Sequence, residues 1–220
     1  MADTLAKQNT SGRALSLARQ VSVRWPNPDV CHEAAGAGLA QLHIWQATGD
    51  TEFRARVIEA GEGLVAAAEP VRSGVIWPVP ADFDSELAGV KHLGFAHGVA
   101  GIGTFLLLSG LATDREDFLD FARWAGDTLA TTARIEGGAA WWPQQYESGS
   151  ERFQLPYWCS GASGIGTFLL RLWQATKDSR YLELAERAAA EVYRWRWRCR
   201  PRCATVWRAT RSSCWTWPPC

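Results

Sequence analysis

The chain repeats itself three times. A shift of 65 residues lays Gly36, Gly38, Ala47, Thr48, Phe53, Ala60, Gly61 and Leu64 on Gly101, Gly103, Ala112, Thr113, Phe118, Ala125, Gly126 and Leu129. A further shift of 63 reaches Gly164, Gly166, Ala175, Thr176, Tyr181, Ala188, Ala189 and Val192. Within these copies Gly101-Ile102-Gly103-Thr104-Phe105-Leu106-Leu107 recurs as Gly164-Ile165-Gly166-Thr167-Phe168-Leu169-Leu170, an in-register identity that chance does not produce. A fold built from this chain must therefore stack one supersecondary unit on copies of itself.

Each unit reads as a Gly-x-x-Gly lead-in, an apolar helix (Gly101 to Leu111), a short turn at Thr113 and Asp114, and an amphipathic helix (Glu116 to Thr131). The first helix is apolar nearly all round. The second has one apolar stripe of Phe118, Phe121, Ala122, Ala125 and Leu129, so the first is expected inside and the second outside. That predicts an all-α chain, an α/α toroid or solenoid of helical hairpins. Trp77-Pro78 and Trp142-Pro143 stand 65 apart in the loops after the outer helices and read as loop anchors. The glycine pairs serve close backbone packing, because no strand precedes them as a phosphate loop would require.

The formal net charge of zero hides a break: residues 1–193 hold 16 basic and all 23 acidic residues, whereas 194–220 hold seven Arg and no acid. That last segment also carries four of the six Cys and five of the 13 Trp, yet no Leu, Ile, Phe or Gly. Three regions follow: an N-terminal segment 1–26, a repeat region 27–193 and a basic tail 194–220. The acidic body argues against nucleic-acid partners. Met1 to Gln20 has no apolar run like a secretory signal, which points to a cytoplasmic protein without a disulfide framework. Leu93 to Thr113 lacks charge for 21 residues, long enough for a membrane span, but its repeat-mates carry Gln41 and Arg171, so a buried helix is expected and no span.

In a ring of hairpins, equivalent positions face the same end of the cavity. Just before the inner helices stand Asp29-Val30-Cys31-His32, Ala96-His97-Gly98 and Trp158-Cys159-Ser160-Gly161. Acid, imidazole and thiol types thus converge at inner-helix amino ends, where free N–H groups favour a thiolate. Glu33 replaces the glycine that follows in the other units, so Cys31 and His32 read as structural. His43 and His92 have no motif around them.

Gly94-Phe95-Ala96-His97-Gly98-Val99-Ala100-Gly101-Ile102 and Trp158-Cys159-Ser160-Gly161-Ala162-Ser163-Gly164-Ile165 resemble two signature motifs of the lanthionine synthetase C family, over residues 27–193. The resemblance implies a toroid of seven hairpins, of which about three are present here as an incomplete ring. It also implies a cyclase of lanthipeptide biosynthesis that uses zinc to join a peptide Cys thiol to a dehydrated Ser or Thr as a thioether. By it, Cys159 matches a zinc ligand, His97 a histidine of proton transfer and Asp29 a catalytic aspartate. The implied partners are a dehydrated precursor peptide and a dehydratase or kinase/lyase.

The family's two other zinc ligands form an adjacent Cys-His pair in a Cys-His-Gly motif, and none follows Cys159 in this reading. The tail explains the gap by codon arithmetic. Codons for Cys203 to Pro218, read one frame over, can spell Cys-His-Gly-Leu-Ala-Gly-Asn-Ala-Glu-Phe-Leu-Leu-Asp-Leu-Ala, in which only the first base of each shifted codon is free. A frameshift near Arg194 is therefore expected, with zinc bound poorly and activity impaired in the chain as written. Two other classes compete: a non-catalytic or peptide-binding remnant, and an α/α toroid glycosidase, which needs two carboxylates about 5 to 10 Å apart. A structural zinc cluster of Cys199, Cys203, Cys214 and Cys220 fits no ligand spacing.

Overall fold

The computed structural model describes residues 12–24, 26–147 and 156–198. A helix over 12–20 (α1) precedes three hairpins of paired helices: α2 (Ala34–Thr48) with α3 (Thr51–Ala66), α4 (Val99–Thr113) with α5 (Glu116–Thr132), and α6 (Ala162–Thr176) with α7 (Ser179–Arg198). The fold is mostly helical, as the repeats predict. The inner helices α2, α4 and α6 pack side by side in one layer, and α3, α5 and α7 form the other. The tail from residue 199 onward, with its four Cys and its latent Cys-His motif, lies outside the described residues.

The turn between the two helices of each hairpin is built the same way. Thr48, Thr113 and Thr176 donate their hydroxyls to the carbonyls of Ile44, Ser109 and Leu172 one turn back. The next residue that must turn left-handed is Gly49 (φ 70°), Asp114 (φ 58°) or Lys177 (φ 62°), so the geometry persists where the residue type changes.

Twelve of the 15 residues of α4 are buried, because α4 lies between α2 and α6 with α5 and α3 behind it. The uncharged stretch Leu93 to Thr113 is thus a lead-in turn and a core helix, and no described helix is long and apolar enough to cross a membrane. Phe53, Phe105, Phe118 and Phe168 are fully buried, the last three in one continuous core, and each is worth about 2 to 3 kcal/mol in transferred apolar surface.

Residues beyond the repeat pattern close the ends. Helix α1 caps the first hairpin: Arg19 pairs with Asp50 and Glu52, its guanidinium lies over the Phe53 ring, and Gln41 donates to the Ala18 carbonyl. After each of the first two outer helices comes a small antiparallel pair that the sequence did not predict, β1 (Glu69–Val71) with β2 (Gly74–Ile76) and β3 (Arg134–Glu136) with β4 (Ala139–Trp141). Each pair braces the next outer helix. Thr128 of α5 accepts from Val75 N–H and donates to Val75 O, both at 2.8 Å, and Arg194 of α7 holds the Glu136 and Gly137 carbonyls. Trp77 and Trp142 anchor the loops as expected. Each is 1% exposed, and each indole donates at 2.7 Å to an outer-helix carbonyl, Leu64 O and Leu129 O.

Candidate active site

The lead-in turns before α2, α4 and α6 share one backbone pattern. Ala34 N–H bonds to Asn27 O as Val99 N–H bonds to His92 O, and Ala35, Ala100 and Ser163 bond back to Pro28, Leu93 and Pro156. The turns are then laced sideways. Cys31 N–H donates to Ala96 O at 3.1 Å, and Ala96 N–H donates to Cys159 O at 2.9 Å. Gly94 permits this spacing, since a Cβ there would stand 2.6 Å from Ser160 Cα. Positions 31, 96 and 159 therefore form one row, and 32, 97 and 160 the next.

Asp29 is the buried centre of the site, its side chain 3% exposed. Its Oδ2 lies 2.8 Å from His97 Nδ1 and 2.9 Å from His32 Nδ1, and its Oδ1 accepts from His32 N–H at 2.7 Å. Burial by itself would raise this carboxyl. The hydrogen bonds from His97 and His32 outweigh it and hold the group at about 2, so Asp29 is ionised at neutral pH. A carboxylate only accepts, so both imidazoles carry a proton on Nδ1 and leave Nε2 as the nitrogen that can take or give a proton.

Asp29 and His97, assigned from separate repeats, are thus brought into direct contact. Cys159 comes from the third repeat, is exposed, and belongs to the same laced row without joining the carboxylate cluster. Cys31 stands in the row as well, its thiol pushed up by partial burial, then by Asp29 and Cys159.

Two residues set aside on sequence grounds belong here. His32 occupies the repeat position of His97, 65 residues earlier, and the two rings stack with centroids 5.0 Å apart. Glu33, the substitution that obscured this, accepts from Asn27 N–H at 2.5 Å and so fixes the turn carrying Asp29. His92 lies behind His97, with centroids 5.7 Å apart. Burial, reinforced by His97, pushes His92 down to about 4, and its Nε2 is buried without a partner, so it stays neutral. The repeat register was the available signal for His32. His92 stands at the repeat position of Asn27, 65 residues on, but no imidazole shares that position, so its place behind His97 shows only in the packing.

Asp29, His32 and His97 also form the one group among the described residues whose donor atoms, all within 4.8 Å of one another, could hold a metal. The zinc site implied by the family resemblance is a different set. The resemblance puts Cys159 in it, and no Cys-His-Gly motif follows Cys159 among the described residues; the adjacent Cys31-His32 pair is followed by Glu33, and its His32 Nδ1 is tied to Asp29. The residues present do not complete that site. Asp29 is the single carboxylate of that cluster.

A comparison with curated proteins finds no match. The family profile described as lanthionine synthetase C-like protein matches residues 1–197, which spans α1, all three hairpins and the laced row of lead-in turns. The chain belongs to the lanthionine synthetase C-like family.

Proposed function

We propose that this chain carries the proton-transfer half of a thioether-forming site. The reaction is addition of a peptide Cys thiol to a dehydroalanine or dehydrobutyrine of a dehydrated precursor peptide. The sulfur bonds to the β carbon, the double bond becomes an enolate, and the α carbon takes a proton, so the thiol proton is balanced and no redox partner is needed. The observation that carries the reading is the buried hydrogen bond between Asp29 and His97 across two repeats. With Nδ1 tied to a permanent anion, His97 is fixed in one tautomer and presents Nε2 to a substrate, the arrangement general acid–base catalysis requires. His32, bonded to the same oxygen, is the second proton carrier of the site.

Zinc, where a full ligand set binds it, lowers the pKa of a bound thiol. With Cys159 as the only ligand of that set among the described residues, the chain as written is expected to hold zinc weakly and to work slowly.

The test uses a peptide bearing one free Cys and one dehydroalanine. Addition leaves the mass unchanged and removes the thiol, so alkylation by a maleimide counts the product. We expect the chain to speed thiol loss over background, and His97→Asn or Asp29→Asn to lower that rate about 10²-fold or more. A rate equal to background in both the written chain and one with the tail's frame restored sinks the reading.

A further inference from the structure

Asp29 is a buried carboxylate with no permanent cation beside it. Its side chain is 3% exposed, and among the described residues the groups that pair with it are the rings of His32 and His97, with no Lys or Arg. A neutral imidazole donates a hydrogen bond but brings no charge, and buried charges are as a rule paired or bound to a metal. The three side chains that meet here are all of metal-ligand type, and their donor atoms lie within 4.8 Å of one another.

The spacing selects the kind of ion. Asp29 Oδ2 stands 2.8 Å from His97 Nδ1 and 2.9 Å from His32 Nδ1. With bonds of about 2.1 Å from ion to ligand, those separations set the two oxygen–metal–nitrogen angles at about 85°, close to the right angles of a six-coordinate ion. A tetrahedral ion with the same bonds needs about 3.4 Å between ligand atoms. Imidazole nitrogen also favours transition metals over magnesium or calcium, and two imidazoles with one carboxylate on one face of an octahedron leave the opposite face to water.

Contacts outside the cluster hold this arrangement. Asp29 Oδ1 accepts from His32 N–H at 2.7 Å, which leaves Oδ2 to both rings, and Asp29 N–H donates to Asn27 Oδ1 at 3.3 Å. The two rings stack with centroids 5.0 Å apart and planes 17° from parallel. Val30 and Cys31 N–H both donate to Ala96 O, which ties the turn of His97 to the turn of Asp29. Outer contacts of this kind orient the ligands of a metal and raise its affinity.

We propose that Asp29 Oδ2, His32 Nδ1 and His97 Nδ1 form a binding site for a six-coordinate divalent transition-metal ion of the cobalt or nickel class. Cys159 is no part of it, so it is distinct from the zinc site that the family resemblance implies. On binding, each neutral imidazole gives up its Nδ1 proton and takes one at Nε2 from solvent, so no net proton is released. An imidazole with its lone pair on a metal and its proton on Nε2 has no basic nitrogen left. An occupied site therefore stops His97 from accepting a proton, a consequence that rests on the reaction proposed above; the binding does not.

The test is a titration of cobalt(II) into the full reduced chain, followed by visible and near-ultraviolet absorption. We expect one equivalent to bind saturably, with the weak visible bands of a six-coordinate ion and no sulfur-to-cobalt charge-transfer band. Affinity should fall about tenfold or more in His32→Ala and in Asp29→Asn, and stay unchanged in the double variant Cys31→Ser, Cys159→Ser. The His32 side chain is 48% exposed, so its truncation leaves the core in place, which circular dichroism checks. Absence of a saturable signal overturns the proposal, as does affinity indifferent to His32→Ala and Asp29→Asn. The intense visible bands of a tetrahedral ion, or a sulfur-to-cobalt band at one equivalent, overturn it too. The titration reads no thiol addition, so either proposal can fail while the other stands.

Discussion

Truncating one leucine at the same repeat position in each hairpin isolates the effect of having a neighbour. Leu42, Leu107 and Leu170 share residue type, helix and register, and differ in exposure: 1%, 2% and 41%. At the two enclosed sites Leu→Ala removes three carbons from a packed core and leaves a cavity that α2 or α4 cannot collapse, at a cost of about 2 to 5 kcal/mol. At Leu170 part of the surface already faces water and the vacated space opens into a groove between α6 and α7, so no cavity term arises. Scaling the transfer loss by the buried share leaves about 1 kcal/mol. Urea denaturation at fixed protein concentration measures the three differences, and an unchanged slope confirms that native compactness is the same. The expected order is Leu42→Ala and Leu107→Ala together, both at least twice as costly as Leu170→Ala. Equal costs at all three sites would refute the reasoning, because they would mean that Leu170 is covered in solution by a surface the groove does not reveal.

Asp29→Asn should cost about 2 kcal/mol at pH 7, since the carboxyl falls from its ordinary 3.8 to about 2 in the fold. That stabilisation is present above about pH 4 and lost as pH falls through 2, so the difference between wild type and variant should vanish there in acid denaturation curves; a constant difference down to pH 2 argues against the ionised carboxylate. His92, pushed down to about 4, should titrate by NMR well below the ordinary histidine range, and a midpoint near 6.5 would show that its site is wetter than the packing implies. Trp77→Phe removes the indole donor of Leu64 O and should cost about 1 to 2 kcal/mol in thermal or urea unfolding, whereas Trp142→Phe should cost less because Leu129 O keeps the Ala133 N–H at 3.1 Å; a larger loss at Trp142 would undo the argument. Dialysed against trace zinc, the written chain should retain well under one equivalent by elemental analysis, and a full equivalent that persists in Asp29→Asn would contradict the incomplete ligand set.

The helical framework was legible because its signal is redundant. Three copies carry the same Thr before a left-handed turn, so the hairpin boundaries at Thr48, Thr113 and Thr176 are written three times, and α4 and α5 fall within a residue or two of the pattern. The meeting of Asp29 with His97 was legible for the same reason: equivalent lead-ins face one another, so residues 68 apart in sequence come to 2.8 Å. The β pairs were not, because three residues are too few to show alternation, and what fixes β2 is a side chain 53 residues away, Thr128. His32 was in the right register but was judged by its neighbour Glu33, whose carboxylate serves the turn instead of opposing it. His92 is defined by what lies in front of it, which no local pattern encodes.

The site belongs to no single hairpin, and this ties its chemistry to the packing behind it. Asp29 enters from the first unit, His97 from the second and Cys159 from the third, and the links between them are the backbone bonds of the laced row. Those bonds hold only while the inner helices keep their register, and that register is set by Phe105 on Gly38 and Phe168 on Gly103, within helices rather than at the site. Interiors are close-packed and yield little to added volume, so a Cβ at Gly38 would shift α4 against α2 before it displaced any polar group. The distance it would change is the one from His97 to Asp29, where a misplacement of about 1 Å can cost 10²-fold in rate. Each hairpin therefore does two things at once: it buries the apolar face of the one before it and brings one more candidate side chain into the row. In this architecture the number of docked repeats sets how much of the site exists.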